Sequence, residues 1–126
     1  MTPTHHGRLL LPLAYMAALF ALSSIPGDIS PDTPLGAVFQ WFTPNLQNLL
    51  HVPLYAGLTL SWFWALMPYS LARQKQLLVA LALAMLWGAL DEVHQAGVPG
   101  RYGSFTDVAL NFAGAIAAVL YLRKKR

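Results

Sequence analysis

The chain contains no cysteine. That excludes disulfide pinning, a thiolate nucleophile and cysteine-ligated metal, and it leaves the compartment open. Charge is nearly as scarce. Asp, Glu, Lys and Arg make up 10% of 126 residues, with five acidic side chains against eight basic ones. A soluble domain carries about 25% charged residues, whereas here 56% of residues are hydrophobic and the mean hydropathy is +0.49. There is no internal repeat, no low-complexity tract and no HExxH-type metal signature. A pI near 9.5 does not indicate nucleic-acid binding, because the basic residues form no stripe and stand instead at the ends of apolar blocks.

Those apolar blocks are Leu9–Ile25, Leu49–Met67, Leu77–Ala96 and Phe105–Leu122. Each approaches the ~17–25 residues that cross a bilayer. The first has Pro12 in its opening turn, where a missing N–H costs little. A cleaved signal peptide would look similar, with Ala21-Leu22-Ser23 as the small-residue site. The run exceeds the usual apolar core of about 7–15 residues, and Ser23-Ser24-Ile25-Pro26-Gly27 reads as a helix exit, so an uncleaved span is expected. Between the first two blocks lies a linker rich in Pro and Gly, in which Leu35–Phe42 forms an apolar, aromatic patch suited to the membrane interface. The fold expected is all-α: a single domain over residues 1–126, an integral membrane four-helix bundle with short outer loops.

Charge fixes the orientation. Arg8, Arg73, Lys75, Arg123, Lys124, Lys125 and Arg126 fall at the N-terminus, the middle connection and the C-terminus, leaving only Arg101 for the other side. The positive-inside rule then places both termini in the cytoplasm. All five acidic residues, Asp28, Asp32, Asp91, Glu92 and Asp107, fall on or near the outer side. A multi-pass protein of the cell (inner) membrane is expected.

The polar residues converge at that outer end. His51 and Tyr55 share a face of the second helix, and Asp107 and Asn111 share one on the fourth. Asp91, Glu92, His94 and Gln95 close the third. The Asp107–Asn111 face continues as Gly114 and Ala118, small residues that admit a neighbouring helix. Each residue also has a structural reading. Asp107 suits the positive end of a helix, Asp91 and His94 suit a solvated interface, and Tyr55 and Asn111 suit interhelical hydrogen bonding. Arg101 lies in a Gly- and Pro-rich loop as the one fixed cation near three carboxylates, placed to pair with them or to meet an anionic headgroup. His51, Glu92, His94 and Asp107 are ligand types that Zn²⁺ accepts, but no local signature gathers them, and neither metal nor cofactor is expected.

The series His51-xxx-Tyr55-xx-Leu58, then Glu92-xx-Gln95-xx-Val98-Pro99-Gly100-Arg101-xx-Ser104-xx-Asp107-xxx-Asn111-xx-Gly114, resembles the VanZ-like family of small bacterial membrane proteins. Ser23-Ser24 followed by Pro26-Gly27 is similar to that family as well. The resemblance implies an α-helical membrane bundle and an association with resistance to the glycopeptide teicoplanin. One departure stands out: family members often carry an Asp-Lys pair just ahead of the second-helix histidine, where this chain has Gln47 and Asn48.

Three functions compete. The first is binding or handling of a cell-envelope lipid or amphiphile in an outward-facing site. Its lining would be Tyr55, Gln95, Arg101, Ser104 and Asn111 together with His51, Glu92 and Asp107. The second is intramembrane hydrolysis or transfer on a lipid-linked substrate, with Glu92 or His51 as general base and Asp107 orienting it or holding a metal; no nucleophile stands out. The third is a structural subunit that associates with a second copy or another membrane protein through the small-residue fourth helix, Ala109, Ala113 and Ala117 included.

Overall fold

The computed structural model describes residues 3–42 and 44–125. Its regular structure is entirely helical among the described residues: α1 (Pro3–Gly7), α2 (Leu10–Ser23), α3 (Pro34–Gln40), α4 (Pro44–Leu66), α5 (Arg73–Ala96) and α6 (Phe105–Lys124). Four helical stretches are long and apolar enough to cross a membrane: His5–Ser23, Leu46–Leu66, Arg73–Ala96 and Phe105–Lys124. They match the four apolar blocks, with shifted ends. The first span starts earlier and stops at Ser23 rather than Ile25. The second and third begin several residues before the apolar run does, because polar residues there serve the backbone. Gln47 Nε2 donates to Phe42 O at 2.9 Å. Gln76, expected in the connection, is buried in the first turns of α5, where its Nε2 donates to Leu66 O at 3.0 Å and so satisfies a carbonyl at the end of α4. The short α3 overlaps the expected interfacial patch, starting one residue before it. It forms because Pro34 opens it and the Thr33 hydroxyl accepts from Gly36 N at 3.0 Å. Trp41, just past its end, is 85% exposed.

α4, α5 and α6 pack against one another, and α2 lies along α4 and α5. Helices in a bilayer gain little from burying apolar surface against each other, so close approach and hydrogen bonds decide the packing. The core reflects this: Tyr55, Leu58, Trp62 and Phe63 of α4 sit against Ala80 and Ala84 of α5 and Ala115 and Val119 of α6. A Cβ at Gly114 would run into the Val52 backbone, carbonyl oxygen included. The Gly114/Ala118 face is therefore already filled by α4 of the same chain. Tyr15 Oη reaches from α2 to Leu54 O at 2.6 Å, over space that Gly57 leaves open. Leu78, Leu86, Val93 and Leu120 point outward, as side chains facing lipid should.

The two ends differ. At one, the Arg8 guanidinium lies over the Trp64 ring, 4.6 Å from its centroid, and Arg73 donates to Leu122 O and Lys125 O, both at 2.7 Å. The N-terminal segment, the α4–α5 connection and the C-terminus thus meet at a basic end. The last turns of α2 and α5 and the first turns of α4 and α6 form the opposite, acidic end. The close α4–α6 crossing predicts that Gly114→Ala lowers the unfolding stability in detergent by about 1–3 kcal/mol. Gly7→Ala, whose Cβ meets nothing within 4 Å, should leave it unchanged.

Candidate functional site

Burying a carboxylate in an apolar bundle is tolerated only where donors surround it. Asp91, 6% exposed, has them from three helices. Ser23 of α2 donates to Oδ1 at 2.5 Å, and Tyr55 of α4 and Gln95, one turn on in α5, donate to Oδ2 at 3.4 Å each. Asp91 is therefore an interior residue rather than a solvated interface charge. Tyr55 and His51 share a face of α4 yet diverge at its edges: Tyr55 turns to α5 and His51 to α6. His51 Nδ1 lies 2.6 Å from Asn111 Oδ1. An amide oxygen only accepts, so Nδ1 carries the hydrogen, and in the neutral ring Nε2 is left as an acceptor. Asn111, fully buried, directs its Nδ2 at Gly88 O, 3.5 Å away. A Cβ at Gly88 would press on the Tyr55 ring at 3.0 Å and on Asn111 Cβ at 3.1 Å, so this glycine gives both side chains passage.

Glu92 follows Asp91 but points elsewhere, because successive helix positions are about 100° apart. Its Oε1 accepts from Ser104 N at 3.0 Å, while Oε2 is buried without a partner. Ser104 also caps α6, its hydroxyl oxygen accepting from Thr106 N at 3.1 Å and Asp107 N at 3.4 Å. Glu92 lines a groove of about 380 Å³ between α5 and the start of α6, walled by Ala89, Val93, Ala96, Gly103, Ser104, Phe105 and Val108. That volume lies within the ~300–1,000 Å³ of small-molecule sites. Val93 and Phe105 at its margin are 73% and 96% exposed, so the groove opens sideways, where lipid would be. His51, Asp91 and Asp107 lie within electrostatic range of Glu92.

A further set of contacts fastens α2 to this end. The His94 ring stacks on Phe20, centroids 4.4 Å apart, and its Nε2 lies 2.9 Å from Ser24 Oγ. The Ser24 hydroxyl hydrogen is directed at Phe20 O, 2.7 Å away, so His94 supplies the hydrogen of the other bond. Arg101 spans from the α5–α6 loop to the end of α2: Nε donates to Ile25 O at 2.9 Å and a terminal nitrogen to Leu22 O at 3.3 Å. Beside it Gly27 N donates to Pro99 O at 2.9 Å. Gly100 has a φ of +72°, and a Cβ at Gly27 would overlap the Gly100 carbonyl. Glycine is required at both positions, at Gly100 by its left-handed backbone and at Gly27 by that contact.

The polar residues named from sequence thus separate into groups. Tyr55 and Gln95 join Asp91, His51 joins Asn111, Glu92 joins Ser104 with half-buried Asp107 nearby, and Arg101 joins the carbonyls of α2. His94 belongs to Ser24, not to His51. Among the described residues no three His, Asp or Glu side chains stand close enough to hold a metal ion together. Sequence reasoning missed the Asp91–Ser23 and His94–Ser24 pairs. Their signal was present: two serines at the exit of an apolar block, opposite a carboxylate and an imidazole at the exit of another.

The chain belongs to the VanZ/LLP1 family, whose profile matches residues 5–125, and with its four spanning helices it is a multi-pass membrane protein. No curated protein and no solved structure matches it significantly. The placement of Arg101 predicts that Arg101→Ala speeds backbone hydrogen exchange around Leu22–Ile25 and lowers stability by about 1–2 kcal/mol, the range of charged hydrogen bonds partly exposed to solvent. Unchanged exchange there would contradict the assignment.

Proposed function

We propose that the chain binds a cell-envelope lipid or lipid-like amphiphile, taken from the membrane into the groove between α5 and α6. The observation that carries this reading is the pairing of apolar walls open to the side, Val93, Phe105 and Val108, with a buried carboxylate, Glu92, that has one unpartnered oxygen. Apolar lining with a few convergent polar groups is the usual build of a ligand site. The distribution of basic residues supports an outer-leaflet position for this end, with both termini cytoplasmic and the protein in the bacterial inner membrane. In that position a bound envelope amphiphile would alter what a glycopeptide meets at the membrane surface, the proposed route to teicoplanin resistance.

Binding is favoured over hydrolysis or transfer because no nucleophile stands out, the Ser104 oxygen being used to cap α6, and because His51, one of the candidate bases, is held by Asn111. Arg101 acts in this reading as a positioning residue, holding α2 and the α5–α6 loop together. Native mass spectrometry of protein released from its own membranes tests the proposal. The wild type should retain a lipid-mass adduct, and Val93→Trp, which fills the mouth of the groove from an exposed position, should reduce it at least tenfold. Bare wild-type protein, or equal lipid in both, would contradict it.

A further inference from the structure

We infer that the amphiphile this groove takes carries a primary ammonium headgroup, held by the Glu92 carboxylate. This deepens the amphiphile reading and rests on it. Glu92 is 5% exposed and lines the groove, with Oε2 covered, so a headgroup reaches it as the side chain turns outward. Oε1 is satisfied by Ser104 N, and Oε2 receives nothing from the chain. The protein's own cations do not supply the missing donor. Arg101 is engaged with Ile25 and Leu22 carbonyls, and Arg8 and Arg73 are bonded at the opposite end. His51 directs Nδ1 to Asn111, and its neutral ring has only an acceptor at Nε2.

An anionic headgroup fits poorly on two grounds. Asp91 and Asp107 lie within electrostatic range of Glu92, with His51 beside them, so carboxylates outnumber basic groups around it. Three of the donors that a phosphate would seek at the start of α6 are already used: Thr106 N and Asp107 N on Ser104 Oγ, and Ser104 N on Glu92. An ammonium with N–H donors supplies both the charge and the hydrogen bond. Such charge-assisted bonds strengthen where water and high dielectric are absent. A quaternary ammonium brings the charge without the N–H, and an alcohol brings the donor without the charge. The apolar walls would take the chain that follows the headgroup.

The test uses the purified full chain in phosphatidylcholine nanodiscs at neutral pH, with a dodecylamine bearing a diazirine in its chain as probe. Cross-linked residues are read by peptide mass spectrometry. Unlabelled dodecylamine, dodecanol, dodecyltrimethylammonium and dodecyl phosphate serve as competitors. The expected result is cross-linking at Val93, Phe105 or Val108. Dodecylamine should compete at least tenfold better than dodecanol or dodecyltrimethylammonium, and dodecyl phosphate should be weakest. Glu92→Gln, which keeps an acceptor for Ser104 N, should lower dodecylamine competition at least tenfold and change dodecanol less than threefold. Equal competition by all four, a preference for the phosphate, or an unaltered preference in Glu92→Gln would overturn the headgroup assignment while leaving the groove an amphiphile site. Absence of cross-links in the groove, with no displacement by any competitor, would overturn both. The competition order in the unmutated protein decides the matter even if the Glu92 variant fails to fold.

Discussion

A carboxylate enclosed in an apolar bundle is the constraint on which the acidic end of this protein depends. Asp91 can stay buried only if donors reach it, and those donors come from α2, α4 and its own helix: Ser23, Tyr55 and Gln95. This ties α2 to α4 and α5 at the acidic end, as Tyr15 and Leu54 do further along, since helix contact in lipid brings no large hydrophobic gain. The rest of the attachment follows from that register. With Ser23 at Asp91, the next residue, Ser24, meets His94 one helical turn on, and the backbone beyond it arrives where Gly27 can abut Gly100 and Arg101 can reach the last carbonyls of α2. Glycines 88 and 114 make the helices close enough for Tyr55 and Asn111 to span the gaps.

Two neighbouring acids therefore have opposite roles because of where one step along a helix points them. Asp91 is surrounded by donors; Glu92 lines a lateral groove and is left with one buried, unpartnered acceptor. The first is a lock and the second, on the reading proposed above, a ligand group. The remaining polar side chains divide along the same line. Ser23, Ser24, His94, Gln95 and Arg101 serve the attachment of α2, while Ser104 links Glu92 to the start of α6.

Much of this was legible in the amino-acid order. Four blocks of sufficient length determine four spanning helices, since backbone groups in lipid must be satisfied within a segment. Helical spacing put His51 with Tyr55 and Asp107 with Asn111 on common faces, and the convergence of polar groups at one end followed from the alternation of direction. What spacing does not determine is the rotation of each helix against its neighbours. That rotation decides that Asp91 rather than Glu92 meets Ser23 and Tyr55, and that Gly114 meets the backbone of α4. The destination of Arg101 was illegible for a similar reason. A lone cation beside three carboxylates suggests an ion pair, but the carbonyls at the end of α2 are brought to it only by tertiary folding. α3 was hidden because seven residues carry too little periodicity to stand out, although Thr33-Pro34 is a helix-start signature.

The central claim is that Asp91 holds the bundle together and Glu92 holds the ligand. The most direct measurement compares Asp91→Asn and Glu92→Gln in one experiment, recording the thermal midpoint in detergent and the lipid that co-purifies with each. The account predicts that Asp91→Asn lowers the midpoint, by the equivalent of about 1–3 kcal/mol, and keeps its lipid, while Glu92→Gln keeps its midpoint and loses the lipid. Reversed outcomes, or two variants that behave alike, would contradict it.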